Sequence, residues 1–270
     1  MPELPEVESL RRYLLREGII GKTFELVSLE RKPPGRNGSG AIACAKQTVG
    51  QTIIGVLRHG KQIALELNDF VLGAHMGMTG QIHIQLNKEP KPRFTRAVLT
   101  LSNSTDLILV DPRRWARFQI FDSVSQAFSK LGPDALDDTL TSELFTKRFS
   151  NRKSQIKPLL LNQEIVAGIG NIYADESLHR AKISPTRGAN TIPMAELRRL
   201  HTAIRTTLNH AVKFIENHPD ELGRPYIVDA YDERMQLKRK SGGFCPRCEI
   251  PLAINQLGGR TTYFCSKCQR

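Results

Sequence analysis

The sequence contains no run of eighteen apolar residues, so no segment reads as a membrane-spanning helix. An export signal is also missing. The start, MPELPEVESL, is acidic and proline-containing where a signal is basic and then apolar, so a cytoplasmic protein is expected, with no membrane partner. Cysteine is scarce, five in 270 residues, and without export these thiols are expected to stay reduced rather than form a disulfide framework. Cys44 stands alone beside Ile42 and Ala43 and reads as a small apolar core residue. Acidic residues are in the minority. With 27 Asp+Glu against 39 Lys+Arg the net charge is +12, which favours a polyanionic partner over an acidic small molecule. The charge is spread along the chain with no basic amphipathic segment, so nucleic acid is favoured over a membrane surface. No internal repeat is present.

An apolar content of 40% suffices for two domains, each with a core. Leu4, Val7, Leu10 and Leu14 recur at helical spacing and predict a first helix running to about Gly18. From Phe24 to Phe121 the pattern becomes short β-rich runs (FELVSL, QTIIGVL, QIALEL, FVLGAHM, QIHIQL, AVLTL, LILV, RFQIF) separated by Gly, Asn, Asp and Pro. Such a pattern predicts an antiparallel sandwich or barrel. LGPDAL, Leu131 to Leu136, reads as a connector to a helical second domain. There Leu197, Leu200, Ile204, Leu208, Val212 and Ile215 form a 3.6-period stripe on a long helix opened near Pro193. The polar, Pro/Gly-containing stretch from Asn217 to Gly243 reads as a loop or linker.

Cys245, Cys248, Cys265 and Cys268 form two Cys-x2-Cys pairs separated by sixteen residues, a spacing that lets two short turns present four thiolates to one Zn2+. Four thiolates leave no open coordination position, so the expected zinc is structural. Between the pairs, PLAINQLGGRTTYF holds two β-like runs around Gly258 and Gly259 and predicts a hairpin. Arg260, at or beside its tip on a metal-stapled hairpin in a basic protein, is a candidate phosphate ligand.

Pro2 follows Met1, and removal of methionine before a small residue would leave a secondary amine titrating near ~8. Attack of such an amine on a sugar C1′ gives a cationic iminium, an electron sink for later elimination at phosphates. Glu3, next in line, is placed to move protons.

PELPEVE at the start, HMGMTG at His75 to Gly80, DPRRW at Asp111 to Trp115, GIGNIYADESL at Gly168 to Leu178 and the terminal cysteine hairpin together resemble the formamidopyrimidine-DNA glycosylase and endonuclease VIII family of base-excision repair enzymes. HMGMTG and DPRRW point to the formamidopyrimidine branch. The resemblance spans almost the whole chain. It implies an α+β multidomain fold: an antiparallel β-sandwich with a leading helix over 2–131, a helix-two-turns-helix domain over 132–225, a linker or altered lid over 226–240 and a four-cysteine zinc finger over 241–270. DNA is expected in the cleft between the two lobes. It further implies a monomer of bacterial, cytoplasmic type acting on double-stranded DNA with a damaged base or abasic site. No redox cofactor is expected. Glycosylase and lyase chemistry is implied: the Pro2 amine attacks C1′, an oxidised or ring-opened purine leaves, and β,δ-elimination nicks the strand.

By the same resemblance Glu3 is the acid/base carboxylate, Glu6 a second carboxylate shaping the pocket, and Lys61 the lysine on a β-turn that approaches the lesion and its phosphate. Met78, Arg113 and Trp115 match the residues that fill the void left by an extruded base; a phenylalanine is usual where Trp115 stands. Asn171, Lys157 and Arg260 match phosphate contacts, with Arg114 and Tyr173 as further candidates, and His75 is expected to shape its Gly-rich turn. One stretch departs from the family. NHPDELGRPYIVDAY and MQLKRKSGG replace the usual Gly-Gly-Ser/Thr-initiated lid and VYGR-like run, which puts direct readout of 8-oxoguanine in question. Two other readings remain open: the same chemistry directed chiefly at oxidised pyrimidines, and a non-catalytic protein that binds damaged DNA.

Overall fold

The structure is a computed structural model that describes residues 2–30, 42–225 and 234–270. The chain divides into two compact units, Met1–Lys130 with His218–Ile227, and Leu131–Asn217 with Val228–Arg270. Among the described residues no helix is long and apolar enough to cross a membrane.

The first unit opens with α1 (Leu4–Arg16), which ends near the expected Gly18. Its start is a capping box: the Glu3 side chain accepts the Glu6 N–H and the Glu6 side chain accepts the Glu3 N–H, so two otherwise orphaned donors are satisfied reciprocally. Val7, Leu10, Tyr13 and Leu14 form the buried stripe of the helix. Eight strands follow: β1 (Phe24–Leu29), β2 (Ile53–His59), β3 (Gln62–Leu67), β4 (Val71–His75), β5 (Gln81–Leu86), β6 (Thr95–Leu101), β7 (Thr105–Val110) and β8 (Arg117–Phe121). They pair in two antiparallel sheets of order β1-β6-β7-β5 and β2-β3-β4-β8. Ile63, Leu65 and Leu72 of one sheet share a single core with Leu99, Leu101 and Leu107 of the other and with α1, which makes the unit a sandwich. The short helix α2 (Val124–Phe128), capped by Ser123, lies over Ala64 and Val71.

Residues 218–225 also belong to this unit, because polar contacts hold them to it. Arg16 donates to the Gly223 carbonyl at 2.5 Å, and Arg224 pairs with Asp220 and donates to His83 Nδ1 at 3.1 Å. Burial, and then the Arg224 charge, hold His83 down at about 4, so its ring is neutral and free to accept.

The second unit is helical, with a terminal hairpin. It comprises α3 (Ser142–Phe149), α4 (Ile156–Leu161), α5 (Asn171–Ala181) and α6 (Met194–Asn217), then β9 (Ala253–Leu257) and β10 (Arg260–Phe264). The apolar stripe of α6, Leu197 through Ile215, is buried, and α6 packs on α3 and α5. The hairpin turns at Gly258–Gly259, where φ of 55° and 70° meets the left-handed requirement of a two-residue turn.

Candidate active site and metal centre

The first unit gathers the N-terminal residues and the wedge candidates. Pro2 and Glu3 are buried at the entrance to α1, and the Glu3 amide donates to Glu6 Oε2 at 2.8 Å, so the capping box also fixes the direction in which Pro2 leaves the helix. One turn further, Glu8 is buried and takes hydrogen bonds from Arg11, Arg12 and Arg58 at 2.8–3.0 Å. Burial alone would raise its carboxyl, but the three guanidinium contacts outweigh this and hold it at about 2. Arg58 also donates through Nη1 to the Gly60 carbonyl at 3.1 Å. A charged chain thus runs from α1 to the β2–β3 turn on which Lys61 sits.

His75, at the end of β4, accepts the Gly77 N–H on Nδ1 at 3.0 Å and so shapes its Gly-rich turn. Burial, then the charges of Arg117 and Lys61, push its ring below the usual histidine range, which keeps Nδ1 available as an acceptor. Gly77 has φ of 62°, and a Cβ there would lie 2.6 Å from the Trp115 backbone. The turn carrying Met78 and the loop carrying Trp115 therefore meet backbone to backbone.

Asp111, only 1% exposed, organises that meeting. Its carboxylate accepts from Thr79 Oγ1 and from the amides of Arg113 (3.2 Å), Trp115 (2.6 Å) and Ala116 (2.7 Å). Beyond this anchor Arg113 and Trp115 project outward. The indole is 47% exposed with the Arg113 guanidinium 5.2 Å from its ring centroid, a cation–π pair at the protein surface. Met78 is half-buried beside them. Arg114 takes another direction: at φ of 60° its guanidinium reaches Glu30 at 2.5 Å, and Arg96 holds the other oxygen of that carboxylate. Its guanidinium thus shares one protein carboxylate with Arg96 in this structure.

In the second unit Arg260 begins β10 directly after the Gly-Gly turn and is exposed. The next residue is clamped. The Thr261 carbonyl accepts from Asn171 Nδ2 at 3.1 Å, Lys157 Nζ at 3.3 Å and Arg239 Nη2 at 3.5 Å. Asn171 opens α5 after the Gly168–Gly170 turn and is half-buried; its Oδ1 is buried without a hydrogen-bond partner.

Two of the expected contacts lie below the surface in this structure. Lys157 is 0% exposed, its ammonium 2.6 Å from Asp175 and 2.7 Å from Thr262 Oγ1, and it holds the hairpin. Tyr173 is likewise fully buried. Long side chains are amphipathic, and sequence does not tell a solvated lysine from one buried on a carboxylate.

The four cysteine sulfurs all lie within 4.8 Å of one another. A tetrahedron of Zn–S bonds of about 2.3 Å has sulfur–sulfur edges of about 3.8 Å. The separations of 3.5 Å for Cys248–Cys265 and 3.9 Å for Cys245–Cys268 bracket that edge, so these four side chains fit one tetrahedral metal ion. Among the described residues this is the one group of three or more metal-ligating side chains so arranged.

Sequence reasoning passed over Asp111, Asp175 and the Glu8–Arg58 pair. Glu8 with Arg11 and Arg12 was legible from its i, i+3 and i, i+4 spacing, and an Asp heading a Pro-Arg-Arg loop is a turn-capping signal. Arg58 and Asp175 had no local signal. Of the expected altered lid, residues 226–233 lie outside those described. In its remainder, the Gln236 and Leu237 amides donate to Glu176 and Arg239 pairs with Asp175, which tie this segment to α5.

Comparison with known proteins supplies the rest. Residues 1–118 match the family model described as the formamidopyrimidine-DNA glycosylase N-terminal domain, and residues 131–218 match that of the formamidopyrimidine-DNA glycosylase H2TH domain. The formamidopyrimidine-DNA glycosylase of Pelotomaculum thermopropionicum is 35% identical, with 100% of this chain and 99% of the relative covered. That of Halalkalibacterium halodurans is 34% identical over 100% of both. Among solved structures, the Lactococcus lactis Fpg in complex with abasic-site DNA matches with a TM-score of 0.85 at 29% identity over 100% of both chains. A MutM bound to DNA containing carbocyclic 8-oxo-G matches with a TM-score of 0.85 at 30% identity, again over 100% of both.

Proposed function

The chain belongs to the formamidopyrimidine-DNA glycosylase family, and from that membership we propose that it is a base-excision repair DNA glycosylase and AP lyase whose nucleophile is the Pro2 amine. It acts on duplex DNA, extruding an oxidised or ring-opened purine from the stack. With Met1 removed, the Pro2 nitrogen bonds to C1′ while the C1′–base bond breaks, and the base leaves with that electron pair and a proton relayed by Glu3. Opening of the sugar ring gives an iminium. Loss of a C2′ proton then expels the 3′ phosphate, a second elimination expels the 5′ phosphate, and water releases the proline.

The observation that carries this reading is the reciprocal Glu3–Glu6 capping bond pair, which fixes Pro2 at the mouth of α1 with a carboxylate one residue away. Lys61 approaches the lesion phosphate from its turn. Met78, Arg113 and Trp115 fill the vacated stack and face the widowed base, while Asn171 and Arg260 hold phosphates. Zinc, bound by Cys245, Cys248, Cys265 and Cys268, is structural and keeps the hairpin of Arg260 folded. The protein works as a monomer, and its substrate assigns it to the cytoplasm of a bacterial-type cell.

The test is borohydride reduction in the presence of duplex DNA carrying 8-oxoguanine, a ring-opened purine or an abasic site. A covalent adduct at Pro2 is expected with each, and a Pro2→Gly variant is expected to lose it. Absence of the adduct, or undiminished strand cleavage by Pro2→Gly, refutes the mechanism. A panel that includes an oxidised pyrimidine, run at one stated salt concentration, reads out lesion preference, since binding by so basic a protein depends steeply on ionic strength.

A further inference from the structure

The C-terminal end of α5 and the residues that follow it, Lys182 to Ser184, hold the two cysteine turns. On the second turn, Gln269 accepts the Cys265 amide and donates to the Ile183 carbonyl at 2.9 Å, and the terminal backbone exchanges bonds with Lys182 and Ser184. Backbone and amide groups suffice there.

The first turn is attached differently, and both of its attachments involve His179. Arg247, inside the Cys245–Cys248 turn, donates to the His179 carbonyl at 2.6 Å and to that of Arg180 at 3.3 Å. The His179 ring, 0% exposed, places Nε2 3.4 Å from Cys245 Sγ. Cys245 is itself fully buried.

The chemistry of this contact has one direction when a metal holds the sulfur. A metal-bound thiolate has no proton and only accepts, so Nε2 must carry the hydrogen. The opposite ring atom, Nδ1, is buried without a hydrogen-bond partner. With the proton on Nε2 the orphan is a bare lone pair, whereas the other tautomer would bury an unpaired N–H, the rarer and costlier kind of orphan.

We propose that His179 is a positioning residue of the metal centre: its Nε2–H donates to the metal-bound Cys245 thiolate and couples α5 directly to the metal. The bond withdraws electron density from that sulfur and fixes the first turn on α5. The same helix contacts the Arg260 hairpin through Asn171 at its other end, so α5 spans from the metal to the residue next to the proposed phosphate ligand. Groups that hydrogen-bond to metal ligands commonly govern metal affinity as strongly as this arrangement demands.

The proposal rests on the four-cysteine metal reading, and the experiment separates the two. Zinc stoichiometry is measured first on the full-length parent. A parent that takes up no zinc overturns the metal reading and the proposal with it. For a parent that holds one zinc, affinity is measured by competition with a chromogenic chelator in H179F and H179Q. H179F is expected to lose roughly ten- to a hundred-fold in zinc affinity, with H179Q, which keeps an N–H donor, in between. In the cobalt-substituted proteins the sulfur-to-metal charge-transfer band of H179F moves to lower energy, because an unbonded thiolate is the better electron donor. Unchanged affinity and an unchanged band in H179F overturn the proposal while leaving the metal reading intact. The parent alone supplies a readout that does not depend on a variant folding: in protein loaded with spin-active cadmium, the Nε2 proton of His179 shows scalar coupling to the metal through the sulfur. Absence of that coupling overturns the proposal.

Discussion

The Thr79 hydroxyl donates to the buried carboxylate of Asp111 at 2.5 Å and accepts the Arg113 amide at 3.3 Å, and these contacts help tie the turn that carries Met78 to the loop that carries Arg113 and Trp115. Asp111→Ala leaves the Trp115 and Ala116 amides without their acceptor and the Arg113 amide with Thr79 alone, at an expected cost of about 2–4 kcal/mol, since bonds to a charged acceptor are lost and donors are left unpaired. Thr79→Val removes the bond to Asp111 and the one from the Arg113 amide but leaves the Asp111 carboxylate and its other donors in place, and is expected to cost about 1–2 kcal/mol, while altering discrimination between bases opposite the lesion. Chemical denaturation and cleavage of duplexes that differ only in the opposite base check both. Unchanged discrimination in Thr79→Val would count against a single wedge unit.

Glu8 predicts an acid limb of stability. Its folded carboxyl, at about 2, lies below the ordinary 4.5, so its contribution is fully present above about pH 4.5 and is lost as pH falls through about 2. The shift caps that contribution at roughly 3 kcal/mol. Urea melts of the parent and Glu8→Gln should differ clearly at pH 7 and converge towards pH 2. A gap that does not shrink on acidification contradicts the ion-pair account.

Lys157 and Asp175 form a fully buried pair, with Arg239 a second cation on the carboxylate, so removing Lys157 takes away one of the two charges that hold Asp175 ionised and removing Asp175 takes the carboxylate from both. Lys157→Met is expected to destabilise by about 3–5 kcal/mol, and the double change Lys157→Met with Asp175→Leu by less than the two single changes combined. The comparison is a double-mutant cycle followed by thermal unfolding. Strict additivity would mean the pair does not act as a unit.

Variants at Arg260 and Arg114 should differ in their response to salt. Removing a phosphate contact lowers the slope of log affinity against log salt by about one. Arg260→Ala is expected to do so. Arg114→Ala is expected to leave the slope close to the parent value, because Glu30 already holds that guanidinium at 2.5 Å. Titrations at several salt concentrations with one abasic duplex distinguish the two, and equal slopes for both variants would contradict this division.

Chelation of the metal should abolish the contribution of Arg260 while the sandwich stays folded. The core of that unit is built from α1 and two sheets and contains none of the four cysteines. Circular dichroism and DNA titration before and after chelation read the two effects separately. Undiminished DNA binding by the metal-free protein would show that the hairpin does not depend on zinc.

Much of this protein was readable along the chain. The Cys-x2-Cys pairs announced the four-cysteine cluster, the short β runs announced an antiparallel sandwich or barrel, of which the fold is the sandwich, and the stripe from Leu197 to Ile215 announced the face that α6 buries. These features share a physical origin: periodicity, capping and ligand spacing depend on residues within a few positions of one another, and local order preserves them.

Tertiary structure alone decided what the charged side chains do. Lys157 reads from its sequence as one more cation, and the fold brings it against Asp175 and against Thr262, 105 residues away. Arg114 was drawn to Glu30 across 84 residues, and Arg58 to Glu8 across 50. A long cation carries no local sign of whether it will face solvent, a phosphate or a buried carboxylate. The desolvation cost of burying it is offset only when the whole fold places an acid within hydrogen-bond reach, and that placement is a property of three dimensions.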